Sequence, residues 1–155
     1  MSCSSSPSVV YMNIERVFNE FTLKEDLLTE FEVVKNKRQA ITDSLRLSLK
    51  AKYNEISQLK DQKLKEKSVL AFKDQEQYYY DMMEEYKDMN SKLMNQYDAQ
   101  ILKRMNEFVQ QFGKDHSYEL ILGSKGDGNI MYAVDGKDVT SEVILYINKK
   151  FEDEP

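Results

Sequence analysis

The chain has 155 residues, of which 32% are charged and 41% hydrophobic, with a formal net charge of -5; its mean hydropathy is -0.66. The acidic balance excludes a nucleic-acid binder that works through a concentrated positive field, and no apolar run approaches the ~20 residues that span a bilayer as a helix. The single cysteine, Cys3, excludes an intrachain disulfide.

The first residues read Met1-Ser2-Cys3-Ser4-Ser5-Ser6-Pro7 and contain no apolar h-region of a signal peptide. A Cys followed by a Ser-rich tether has the form of a processed bacterial lipoprotein's lipidated end. Cys3 is therefore the candidate lipidation site, with residues 1–8 as a flexible tether; the alternative is an incidental Cys in a tail. Next, Val9-Val10-Tyr11-Met12-Asn13-Ile14 predicts a first strand. Glu15 to Phe21 then places Val17, Phe18 and Phe21 on one helical face.

Between Ser8 and Phe112 there is neither Gly nor Pro. These are the commonest punctuators of structure, so their absence predicts long, uninterrupted helix over about 22–112. The first half carries a stripe at Leu23, Leu27, Phe31, Val34, Ile41, Leu45, Leu49, Tyr53, Ile56 and Leu59, with a position skipped at Arg38. The second half carries Tyr79, Met82, Tyr86, Met89, Leu93, Tyr97, Ile101, Met105, Phe108 and Phe112. Steps of three and four make both stripes of coiled-coil type. One straight helix of ~90 residues would run ~135 Å and leave its stripe without a partner inside the monomer. A hairpin of two arms lets the stripes face each other, with the turn expected near Lys65 to Phe72. Charge supports that pairing: residues 22–72 hold 11 Lys and Arg against 8 Asp and Glu, whereas residues 73–116 hold 6 against 9.

Gly113 is expected to end the arm. Tyr118-Glu119-Leu120-Ile121-Leu122 follows as a strand. A hairpin loop over Gly123 to Gly128 and a return strand at Asn129-Ile130-Met131-Tyr132-Ala133-Val134 come next. Asp135-Gly136 turns the chain, and Asp138-Val139-Thr140-Ser141-Glu142 starts a last helix with Val143, Ile144 and Ile147 on its apolar face. The predicted class is α+β. A small β body of about three strands and short helices (9–21 and 113–155) carries a long antiparallel helical-hairpin tentacle (22–112).

Four segments in this order resemble the OmpH/Skp family of periplasmic chaperones. They are Val9 to Phe18, the charged helical hairpin, Tyr118 to Leu122 with Ile130-Met131-Tyr132-Ala133, and Asp138 to Ile144. The resemblance covers nearly the whole chain. It implies a jellyfish-like homotrimer whose β body is shared by three chains. It further implies a periplasmic, ATP-independent holdase that keeps unfolded outer-membrane β-barrel proteins soluble in a tentacle-lined cavity. Well-known members are strongly basic, whereas this chain is acidic, and no Lys and Arg cluster matches a lipopolysaccharide site. Physics also favours an oligomer, since the ~60 residues outside the arm bury a marginal core alone and short strands leave edges to cover. Candidate subunit-contact residues of the body are Val10, Met12, Leu120, Leu122, Ile130 and Tyr132.

The most unusual local composition is Tyr78-Tyr79-Tyr80 with Met82, Met83, Tyr86, Met89 and Met94. Three consecutive tyrosines cannot all face the other arm, and Tyr and Met both suit adaptable, promiscuous contact. Tyr78, Tyr80, Met83 and Tyr86 are the candidate client-binding residues, with packing of the hairpin as the competing role. Gly123 to Gly128 lacks the Gly-Lys-Ser/Thr ending of a phosphate loop. His116 is the only histidine, so no nitrogen- or sulfur-based metal site, catalytic constellation or cofactor is expected. Apart from unfolded clients and other copies of itself, the expected contact is with a membrane, through the lipid at Cys3. The competing function is a structural or adaptor coiled coil for a specific folded partner; a prefoldin-type cytosolic chaperone is a third reading.

Overall fold

The computed structural model describes residues 8–126 and 128–154. In chain order it holds β1 (Val9–Asn13), α1 (Ile14–Asn19), α2 (Thr22–Gln58), α3 (Gln62–Asp115), β2 (Leu120–Ser124) and α4 (Thr140–Glu152). The chain divides into two compact units, one of residues 1–28 and 96–155, the other of residues 29–95. The first is called the body unit below and the second the arm unit.

In the body unit, β1 and β2 pair in parallel from Val9 with Leu120 to Asn13 with Ser124. On the other edge of β1, Tyr11 bridges to Asp138, also in parallel; Tyr11 donates to the Lys137 carbonyl at 2.9 Å and accepts from the Val139 amide at 2.9 Å. This corrects the expected third strand. Among the described residues, 128–134 form no strand. Parallel neighbours need a crossover of about a dozen residues. Described residues between Ser124 and Asp138 are used on that return, which is why the expected hairpin does not form.

Helix ends follow local chemistry. Asn13 caps α1, its side chain accepting from the Arg16 amide at 2.9 Å. The helix is interrupted at Glu20 and Phe21, and one amide side chain bridges the interruption: Asn148 Oδ1 accepts from the Thr22 amide, and its Nδ2 donates to the Glu20 carbonyl, both at 2.9 Å. Just before α4, Asp138 Oδ1 accepts from the Thr140 amide at 2.9 Å, and Thr140 Oγ1 accepts from the Asn13 amide at 2.9 Å.

Gly113 does not end α3, which continues to Asp115. The left-handed residue that stops it is Ser117, at φ 56°, and the Tyr118 amide reaches back to the Gly113 carbonyl at 2.9 Å. Gly113 instead permits close packing, since a Cβ there would lie 3.3 Å from Ile121 Cδ1. The core joins Val10, Met12, Val17, Phe21, Leu23 and Leu27 to Ile101, Met105, Phe108 and Phe112 and to Val139, Val143, Ile144 and Ile147. Phe21 sits at its centre, edge-on to Phe108 and Phe151 with ring centroids 6.0 and 5.6 Å away.

In the arm unit, α2 and α3 run antiparallel and turn over Leu59–Asp61, earlier than the expected Lys65–Phe72. Asp61 explains the position. Its carboxylate accepts from the Leu64 amide at 3.0 Å and so caps α3.

Candidate functional site

Coiled-coil spacing puts a seam between the two arm helices, and in the arm part of α2 the shielded positions are Phe31, Val34, Arg38, Thr42, Leu45, Leu49, Lys52 and Ile56, with Asp43 half-buried beside Thr42. The first eight run in regular steps of three and four, but three of them, Arg38, Thr42 and Lys52, are polar. Ile41 and Tyr53, assigned to the stripe by apolarity, are exposed, Tyr53 to 62%. In α3, Asn90 takes the inward place expected of Met89. Polar residues therefore meet across the seam. Arg38 Nη1 donates to Asn90 Oδ1 at 2.5 Å, and Lys52 Nζ donates to Gln75 Oε1 at 2.5 Å. Only Phe31 and Thr42 of this unit are buried.

This loosely closed seam carries the aromatic and methionine belt. Tyr78, Tyr80 and Met83 are exposed, at 55%, 57% and 45%. Tyr79 turns inward beside Tyr80, with ring centroids 5.4 Å apart. Tyr86 is half-buried in the seam beneath the Arg38 guanidinium, 5.8 Å from its ring centroid. Three of the four candidate client-binding side chains thus face outward, and the fourth lies under a cation. What residue types alone did not reveal is the inward Arg38, Thr42 and Lys52. A strict count of threes and fours from Phe31 finds them, whereas a search for apolar residues does not.

The candidate subunit-contact residues of the body separate into two sets. Val10 and Met12 are buried in the body's own core, whereas Leu120, Leu122 and Tyr132 are exposed and Ile130 is half-buried. Met131 and Tyr132 are 89% and 82% exposed. Cys3 lies outside the described residues.

His116 stacks against Phe112 and Tyr118, with centroids 4.2 and 5.8 Å away. Tyr146 donates to Asp115 Oδ2 at 2.5 Å. Loss of solvent around its ring, then that hydrogen bond and the Asp115 charge, push the Tyr146 hydroxyl up to about 12. Among the described residues there is no cluster of three or more metal-ligating side chains, and no helix is long and apolar enough to cross a membrane.

A family described as "Outer membrane protein (OmpH-like)" matches residues 8–147. The crystal structure of a candidate outer membrane chaperone (OmpH-like) from Caulobacter crescentus CB15 is similar in fold, with a TM-score of 0.75 at 12% identity. That likeness covers 100% of this chain and 92% of the other. No curated protein matches the chain in sequence.

Proposed function

The chain belongs to the OmpH-like family, and from that premise we propose that it is an ATP-independent holdase chaperone of the periplasm that binds unfolded outer-membrane β-barrel proteins and prevents their aggregation. The observation that carries this reading is the outward belt of Tyr78, Tyr80 and Met83 on an arm that buries almost none of its own side chains. Large amphipathic rings and a flexible thioether make weak, adaptable contacts with many sequences. Clients are held by many such contacts rather than by one pocket, and release needs no nucleotide. The chain works as a homotrimer that shares its body. Support comes from the exposed Leu120, Leu122, Met131 and Tyr132, which need a cover, and from the edge of β2 that has no partner strand in this sheet. Lipid at Cys3 tethers the body to a membrane.

Light scattering after size exclusion tests the reading, first on the protein alone and then after an unfolded β-barrel protein is diluted into it. The expected species is a trimer of about 55 kDa, three times the 18.3 kDa chain, that gains one client's mass without ATP. A monomer or dimer that leaves the client to aggregate overturns it in favour of an adaptor coiled coil. Mass spectrometry of natively expressed protein tests the anchor, and an unmodified Cys3 behind a retained Met1 dismisses it.

A further inference from the structure

A recess of about 310 Å³ opens on the arm around Arg38, lined from α2 by Lys35 and Arg38 and from α3 by Tyr79, Met83, Tyr86 and Lys87. We propose that this recess binds a carboxylate carried next to an aromatic side chain in an unfolded polypeptide. The inference rests on the holdase reading and assigns one class of client segment to it.

Charge is the first argument. No Asp or Glu lines the recess. Arg38 and Lys87 form no ion pair among the described residues. Lys35 is already held by Glu32 at 2.9 Å and adds less. Arg38 gives one of its donors to Asn90, a neutral acceptor. A guanidinium has five N–H donors in a planar fork. Those remaining suit a carboxylate, which such a fork binds bidentately. Arg38 is also half-buried, so water and salt screen it less than a surface lysine.

The α3 side of the recess fixes the neighbour of that carboxylate. Two tyrosine rings and a thioether offer edge and face contacts to a third ring. A second recess on the same arm provides the comparison. It surrounds Lys52, which is bonded to Gln75 much as Arg38 is to Asn90, but Glu55 lines it. That recess carries its own anion, whereas no carboxylate lines the one at Arg38.

The test uses dansyl-labelled peptides and fluorescence anisotropy at low salt. One peptide holds Asp-Phe and ends in an amide, one holds Asn-Phe and ends in an amide, and one ends in Asn-Phe with a free carboxylate. The acidic peptides should bind roughly threefold to tenfold tighter than the neutral one, and the preference should shrink as salt rises. The larger preference of the two shows whether a side chain or a chain terminus supplies the carboxylate. Arg38→Gln and Lys87→Gln together should bring the preference within about twofold, while Lys60→Gln, away from the recess, leaves it intact. Circular dichroism verifies that the variants keep their helix. Equal binding of acidic and neutral peptides, or a preference that survives the double variant, overturns the assignment. Client holding is measured on the same samples. Protein that holds a β-barrel client with no peptide preference loses the recess alone; protein that holds nothing loses the holdase reading as well.

Discussion

The body unit and the arm unit bury very different amounts of apolar side chain. The body gathers fourteen buried residues into one core, whereas Phe31 and Thr42 are the only buried residues of the arm. The body closes an apolar core within one chain. The arm is regular helix whose seam is interrupted by polar layers at Arg38 and Lys52, so its aromatic and methionine side chains remain accessible. Packing is concentrated where shape must be fixed and withheld where contacts must stay open.

The largest effect expected from this contrast is on the body. Phe108→Ala should cost about 3–5 kcal/mol in urea melts, since the ring is fully buried. Leu49→Ala in the half-buried arm seam should cost nearer 1 kcal/mol. Equal losses at the two positions would remove the distinction.

Gly123→Ala should cost roughly 1–3 kcal/mol. An added Cβ would collide with the Ile14 side chain, which must shift to admit it. A thermal shift of no more than a degree would mean that Ile14 rearranges freely.

The converse holds on the arm. Replacing Tyr78, Tyr80 and Met83 together by Ser should change stability by less than ~1 kcal/mol, because all three are exposed. It should nevertheless weaken client holding while the helical signal survives. Unchanged protection of an aggregating β-barrel protein would show that the belt is not the contact surface.

Ser117→Gly should raise the stability of the body by ~0.5–1 kcal/mol, because Ser117 occupies a left-handed conformation that glycine adopts without strain. The smallest effect concerns pH. The Tyr146 hydroxyl ionises near 10 in the unfolded chain and near 12 when folded. Its contribution to stability is therefore complete below pH 10 and lost as pH rises from 10 to 12. Asp115→Asn removes the charge and should lower the Tyr146 midpoint, read by phenolate absorbance.

Much of this was legible from residue types. Val9–Asn13 as a strand, the long helices, the start of the last helix at Asp138-Val139-Thr140, and its buried face of Val143, Ile144 and Ile147 all follow from composition and spacing. The rest has a common cause: position outweighs identity. Ile41 and Tyr53 suit the seam by apolarity, whereas the heptad step selects Thr42 and Lys52. The stripe fades near Lys65–Phe72, whereas Asp61 supplies a cap earlier. Ile130 to Val134 has strand composition, but a parallel sheet spends that segment on its return path.

The bonds from Asn13 to Thr140 and from Thr22 to Asn148 span 127 and 126 residues. They set the order of events as the chain folds. Arm contacts join residues nearer in sequence, 23 apart at Lys52 and Gln75 and 52 apart at Arg38 and Asn90, and shorter loops close at lower entropic cost. The hairpin can zip from Asp61 as soon as both helices exist. The body must wait for residue 148 before the interruption at Glu20 and Phe21 can be bridged, so a nascent chain presents its accessible arm before its core is closed.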